Sequence, residues 1–142
     1  MAPFVAPATD HVMMIDIFNH FMPKAYLDRL GTLIPGHVAL TAFPRLKTLW
    51  DVDVRLALLD EFDGLQQVLS LANPPLELIA SPDRTPELAR IANDALAELC
   101  RKHADRFPAF VAALPTNNID ARSSPPVISL PMPNFDWPYF RS

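Results

Sequence analysis

The chain has 142 residues, a formal net charge of −4, and a composition in which half of the residues are hydrophobic and a fifth are charged. Its length fits one domain at most. Its hydrophobic content favours a globular core over disorder. The sequence has no basic cluster, which argues against a nucleic-acid partner.

Cysteine usage and the start of the chain bear on its location. The single Cys100 excludes an intramolecular disulfide, and a reducing compartment is the default for such a chain. Residues 1–7 place no basic residue before an apolar stretch, and no window reaches the roughly 18 apolar residues that a membrane span requires. We therefore expect a cytoplasmic protein that does not bind or cross a membrane.

The first part of the chain predicts one strand and one short helix. After a lead-in over residues 1–11, the β-branched and long apolar residues from Val12 to Phe18 indicate a strand. A helix over residues 24–30 is expected next, with Pro23 in its first turn and Gly31 at its end. Residues 31–50 show no regular pattern.

Two helices and two buried strands are predicted to follow. Asp51 is a plausible N-cap for a helix that Gly64 ends. The apolar residues Val52, Leu56, Leu59 and Phe62 fall on one face of this helix, and Arg55 lies off that face. The remaining predicted elements are a buried strand over 67–72, a helix that Thr85 caps and that ends near Arg106, and a buried strand over 109–114.

The order β, α, β, α, β defines an α/β domain over residues 12–121, followed by a Pro-rich, irregular tail over 122–142. Right-handed crossovers that wind in one direction place consecutive helices on one face of a sheet and leave the other face bare. Two arrangements would cover it, a doubly wound, flavodoxin-like sheet or a closed barrel. An eight-stranded barrel takes about 250 residues, and this sequence offers three βα units.

The most informative pattern is the acid, aromatic and histidine at alternate positions of the first predicted strand. Asp16, Phe18 and His20 would share one face of that strand, with His20 nearest its carboxyl end, where α/β active sites gather. His20 is therefore a candidate metal ligand or general base, or else a histidine that bonds a loop carbonyl. Asp16 is either an outer carboxylate that orients His20 or an acid satisfied by backbone donors.

The other polar candidates carry weaker signals. His11 falls in the lead-in, His37 in a loop, and His103 at the end of the long helix, where a cation favours the helix dipole. Cys100 is expected in the core or on a helix surface. The sequence contains no phosphate loop and no nucleophile-elbow motif, and it identifies no catalytic residue.

Three segments of the chain resemble the amidohydrolase-related family that includes aminocarboxymuconate-semialdehyde decarboxylase. They are residues 15–30, residues 67–75, and the long helix followed by residues 106–115. The resemblance covers roughly residues 12–121. It implies the N-terminal portion of a (β/α)8 barrel, a divalent metal that is commonly zinc, and the decarboxylation or hydrolysis of small aromatic or related acids.

The resemblance assigns only one ligand position. His20 matches the second histidine of the family's first-strand metal motif, whereas the first histidine falls on Phe18, which has no ligand atom. The family's other ligands come from later strands. Two functions stay open, a metal-dependent decarboxylase or hydrolase that acts on a small acid, and a catalytically inactive fragment that binds no metal and forms oligomers or aggregates through its bare sheet face.

The family would continue beyond Asp120 with a further helix and strand, but the sequence instead enters its Pro-rich tail. We therefore expect the product of a truncated or frame-shifted gene. Translation of the other two reading frames downstream of codon 121 checks this expectation. A strand and helix continuation in one of them is the expected result, and its absence from both would count against a frame shift.

Overall fold

A computed structural model describes residues 13–118 and 120. The strands are β1 (Met14–Asp16), β2 (Leu65–Ser70) and β3 (Ala109–Val111). The helices are α1 (Lys24–Leu33), α2 (Val38–Ala42), α3 (Val52–Leu59), α4 (Leu76–Ile79) and α5 (Thr85–Lys102), with single 3-10 turns at Phe43–Arg45 and Lys47–Leu49. The predicted lead-in and the predicted tail lie outside the described residues.

The three strands form one parallel sheet in the order β1-β2-β3. Asp16 pairs with Gln67, and Ser70 pairs with Val111. Beyond β1 the chain returns to the sheet through an isolated parallel bridge between Phe21 and Leu71. The predicted α/β class and the order of its main elements are confirmed, and the architecture is consistent with a portion of a βα barrel.

Both crossover helices pack on the same face of the sheet. Leu59 of α3 and Leu96 of α5 lie in one buried cluster with Leu69 of β2, together with Phe107 and Phe110. On the opposite face, Ile15 and Val111 are 40% and 57% exposed. A doubly wound sheet would carry helices on both faces, so that alternative is wrong for the described part of the chain.

A second buried cluster lies between α1 and α5. Tyr26 and Leu30 of α1 pack against Leu88 and Ala92 of α5, with Met22, Ala72, Leu76 and Ala89. All are nearly or fully buried because α1 and α5 lie side by side. No helix within residues 13–118 combines the length and the apolar character that crossing a membrane requires.

Two predicted helix ends in the first half of the chain are wrong. α1 continues through Gly31, where an added Cβ would meet no atom within 4 Å, and it ends before the Pro35-Gly36 turn, where Gly36 has a φ of +83° that favours glycine. The cap of α3 is confirmed, because the Asp51 carboxylate accepts hydrogen bonds from two backbone N–H groups of the first turn. α3 ends at Leu59, and Phe62 beyond it is 48% exposed.

The long helix also differs from its prediction at both ends. Thr85 is the first residue of α5 and not its cap, and its hydroxyl donates to Oδ1 of Asn117 at 2.7 Å. The helix ends at Lys102, where the chain turns towards β3. Asn93 is buried and exchanges two hydrogen bonds with the backbone of Ala113, at 2.9 and 2.8 Å. The side-chain amide of Asn93 thus takes the backbone hydrogen bonds of Ala113. β3 accordingly ends at Val111 and is shorter than the predicted strand over 109–114.

The phenol of Tyr26 provides a test of the α1 to α5 packing. The side chain is fully buried, and its hydroxyl has no hydrogen-bond partner among the described residues. Burial also raises the pKa of this phenol well above its ordinary value. Because a buried hydroxyl without a partner costs free energy, Tyr26→Phe is expected to raise the free energy of unfolding by about 1 kcal/mol.

Urea denaturation followed by circular dichroism measures this change. The native chain is measured beside it. A loss of stability in Tyr26→Phe would contradict the expectation.

Candidate functional site

The candidate site lies at the carboxyl edge of the sheet, where the chain leaves β1. Oδ1 of Asp16 accepts a hydrogen bond from the N–H of Phe18 at 3.0 Å, which forms an Asx turn. This turn ends the strand at Asp16, so the predicted strand to Phe18 is too long. The strict alternation that would place Asp16, Phe18 and His20 on one face therefore does not extend past Asp16.

His20 lies four residues beyond the end of β1 and beside the end of β2. Its Nδ1 is 2.9 Å from Oγ of Ser70, the last residue of β2. The same hydroxyl donates to the backbone carbonyl of Asn19 at 2.5 Å. The N–H of Phe21 donates to the carbonyl of Ser70 at 2.8 Å. These bonds attach the loop between β1 and the Phe21 bridge to the end of the neighbouring strand.

The carboxylate of Asp16 has one backbone partner and one side-chain partner. Besides the N–H of Phe18, its carboxylate accepts a hydrogen bond from Nε2 of Gln67 at 3.0 Å. Gln67 is its register partner on β2 and is itself buried. Each carboxylate oxygen of Asp16 therefore accepts one hydrogen bond, Oδ1 from the backbone of Phe18 and Oδ2 from the side chain of Gln67. An orienting role of Asp16 towards His20 stays a prediction.

Arg55 is the functional-site neighbour that the sequence analysis missed. The helical stripe leaves it outside the core, yet the residue is only 8% exposed. Its Nη2 donates to the carbonyl of His20 at 2.6 Å, its Nη1 to Oε1 of Gln67 at 2.9 Å, and its Nε to the carbonyl of Thr48 at 2.7 Å. Its Cζ lies 5.7 Å from the ring centroid of Phe21.

The electrostatic environment of Arg55 reflects this burial. Desolvation lowers the pKa of the guanidinium from its ordinary value, and the negative charge of Asp16 acts in the opposite direction. Arginine stays charged in proteins, so a buried cation lies directly below the loop that carries His20. No local pattern in the sequence identifies Arg55 as buried. Its burial follows from the position of α3 opposite the buried Gln67 of β2, which only the tertiary structure shows.

Asn19 and Phe18 complete the surroundings of His20. The amide of Asn19 donates to the carbonyls of Asp16 and Val68, at 3.1 and 2.8 Å. Its buried Oδ1 has no hydrogen-bond partner among the described residues. The ring of Phe18 is 85% exposed and stands edge-on to the imidazole of His20, with 5.5 Å between ring centroids. An apolar ring thus flanks the histidine on the solvent side.

The other polar candidates lie away from this edge. His103 is the C-cap residue of α5 and packs edge-on against Phe107, and His37 precedes α2, whereas His11 lies outside the described residues. Cys100 is a free, buried thiol of α5, and burial raises its pKa to about 11. That pKa disfavours the thiolate that nucleophilic catalysis requires.

The described part of the chain does not supply a complete metal site. Within residues 13–118 and 120, no group of three or more His, Cys, Asp or Glu side chains is placed to hold a metal ion. Catalytic zinc sites usually take three protein ligands. His20 and the unpartnered oxygen of Asn19 offer at most two donors at this edge, so these residues alone do not fit such a site.

The fold and this edge define the class of the molecule. Three parallel strands are covered on one face by their crossover helices, and a histidine is held at the carboxyl edge, which is the arrangement of a βα-barrel segment. No protein-family model matches the chain. The chain does have relatives among characterised proteins, and they are decarboxylases.

Three of these relatives span bacteria and a fungus. A γ-resorcylate decarboxylase of Rhodococcus jostii is 41% identical over 110 residues, which cover 75% of this chain and 32% of the relative. A γ-resorcylate decarboxylase of a Rhizobium species is 40% identical over 104 residues, or 72% of this chain and 31% of the relative. The decarboxylase yanB of Aspergillus niger is 32% identical over 102 residues, or 71% of this chain and 26% of the relative.

The chain therefore matches about a third of the length of these curated relatives. The predicted relation to decarboxylases of aromatic acids is confirmed by these identities. The two bacterial relatives are named for γ-resorcylate, and none of the three is named for aminocarboxymuconate semialdehyde. The specific resemblance to aminocarboxymuconate-semialdehyde decarboxylase is therefore not confirmed.

The buried guanidinium of Arg55 gives a direct test of how the edge is held. Arg55→Met keeps an apolar side chain of similar length but leaves the carbonyls of His20 and Thr48 and the amide oxygen of Gln67 without their donor. Each buried acceptor without a partner costs about 1–3 kcal/mol. We expect Arg55→Met to lower the free energy of unfolding by at least about 2 kcal/mol.

Chemical denaturation measures this loss, with Arg90→Met as the control. Arg90 forms an exposed ion pair with Asp94 on α5, and such pairs contribute little to stability. Equal effects of the two substitutions would contradict a structural role of the Arg55 network.

Proposed function

We propose that this chain is part of a metal-dependent decarboxylase of the amidohydrolase-related type that acts on a small aromatic acid, with γ-resorcylate as the first candidate substrate. The observation that carries the proposal is His20, an imidazole held by Ser70 at the carboxyl edge of a parallel βαβαβ sheet. The identity to γ-resorcylate decarboxylases supports the same reaction class.

In this proposal His20 is one ligand of a divalent metal, for which zinc is the first candidate, and Asp16 lies outside the ligand shell. Imidazole nitrogen is a common ligand of zinc and related ions. Phe18 places an apolar ring beside the imidazole, where an aromatic acid could pack against it. The remaining ligands would come from residues other than those described, as would any catalytic acid or base.

The chain's own contribution is the position of His20. Arg55 holds its carbonyl from below, and Ser70 contacts its ring from the side. A ligand that is fixed by packing and hydrogen bonds binds a metal at a smaller entropic cost than a mobile one. We also propose a cytoplasmic location, which the buried, free Cys100 supports.

Metal content and γ-resorcylate turnover of the purified full chain test the proposal. We expect bound zinc or manganese by elemental analysis and slow loss of γ-resorcylate in the metal-loaded protein. Because loss of an outer partner already lowers metal affinity by about 10–100-fold, His20→Ala should lower it at least about tenfold. His37→Ala, which removes an exposed imidazole before α2, is the matched control.

Metal binding that survives His20→Ala would contradict the ligand role of His20. Metal binding that depends on His20 without any turnover would contradict the decarboxylase activity of the chain as it stands.

A second candidate function is that of a catalytically inactive piece that associates with a second copy. The exposed apolar residues of the uncovered sheet face favour it, namely Met13, Ile15 and Val111 at 55%, 40% and 57% exposure. In sedimentation velocity, this function requires a sedimentation coefficient that rises with protein concentration and that Val111→Lys lowers. A chain that remains monomeric at all concentrations would exclude it.

A further inference from the structure

The hydrogen bonds around Ser70 determine which nitrogen of His20 carries the proton. A serine hydroxyl has one hydrogen to donate and two lone pairs that accept. The carbonyl of Asn19 can only accept, and it lies 2.5 Å from Oγ of Ser70. The hydroxyl hydrogen must therefore point at that carbonyl, because two oxygens at this distance without a hydrogen between them would repel each other.

The contact between Ser70 and His20 then has only one possible direction. Nδ1 of His20 lies 2.9 Å from the same Oγ, whose hydrogen is already used. Oγ must accept at this contact, so Nδ1 carries the hydrogen and donates it. In a neutral imidazole only one nitrogen is protonated, and the lone pair therefore lies on Nε2.

The backbone on both sides of this contact is held in place. Nη2 of Arg55 donates to the carbonyl of His20 at 2.6 Å, and the N–H of Phe21 donates to the carbonyl of Ser70 at 2.8 Å. Because both main-chain segments are anchored, the side-chain contact between Ser70 and His20 determines the orientation of the ring as well as its tautomer.

We infer that Ser70 is a positioning residue that fixes His20 in its Nδ1–H tautomer and leaves the lone pair of the ring on Nε2. The inference rests on this geometry and not on the proposed function. Histidine ligands commonly donate their second ring N–H to a fixed acceptor, which sets the tautomer and the basicity of the ligating nitrogen. Here that acceptor is a hydroxyl whose own hydrogen the backbone of Asn19 occupies.

Long-range proton–nitrogen NMR of the metal-free full chain, with 15N-labelled histidine, tests the tautomer. The spectra are recorded at about pH 8, above the usual imidazole pKa of about 6.5, and the His20 signals are assigned from their loss in His20→Asn. We expect the Nδ1–H form to predominate in the native chain and to become the minor form in Ser70→Ala. Ser70→Thr, which keeps the hydroxyl, should restore it.

Ser81→Ala is the matched control, because that hydroxyl bonds Asp83 on an exposed turn and its loss should leave the His20 signals unchanged. Amide spectra of each variant verify the fold, and if Ser70→Ala fails to fold, the native chain and Ser70→Thr still report the tautomer. A predominant Nε2–H form in the native chain, or an Nδ1–H form unchanged in a folded Ser70→Ala, would overturn the inference.

Discussion

The carboxyl edge of the sheet depends on one buried cation. The guanidinium of Arg55 reaches from α3 to three acceptors that belong to separate parts of the chain, the turn before α3, strand β2, and the loop that carries His20. Gln67 extends this contact to the carboxylate of Asp16. A buried charge is stable only where its hydrogen bonds are satisfied. The network therefore requires β1, β2 and α3 to be in place together.

The second constraint is the one-sided cover of the sheet. α3 and α5 bury Leu69 and Phe110 from one side, whereas Ile15 and Val111 remain open on the other. In a closed barrel the inner face of the sheet is covered by side chains from the other strands. The chain matches about a third of the length of the related decarboxylases, and its described residues supply three parallel strands.

The Arg55 network and the end of β2 both hold His20 in place. The helical side of the sheet holds its backbone through Arg55, and the end of β2 holds its ring through Ser70. Its remaining nitrogen belongs to the edge at which enzymes of this architecture place their chemistry. Phe18 beside it has no ligand atom, so any function of this edge relies on the histidine and on groups that other residues supply.

The sequence by itself determined the α/β class, the order of the main elements and the Asp51 cap. These features depend on local periodicity, on turn residues and on the alternation of side chains, all of which can be seen within a few neighbouring positions. Helix ends were less well predicted, because α1 continues through Gly31 to Leu33 and α5 ends at Lys102, where the chain turns towards β3.

Only the tertiary structure decided the partners of the polar residues. Arg55 belongs to the exposed side of its helix by periodicity, but the amide of Gln67 and the carbonyl of His20 lie across from it in space. Asp16 bonds Gln67 for the same reason, and Ser70 meets His20 across 50 positions of the sequence. Hydrogen bonds between distant segments depend on how strands and helices stack, which a local pattern does not encode.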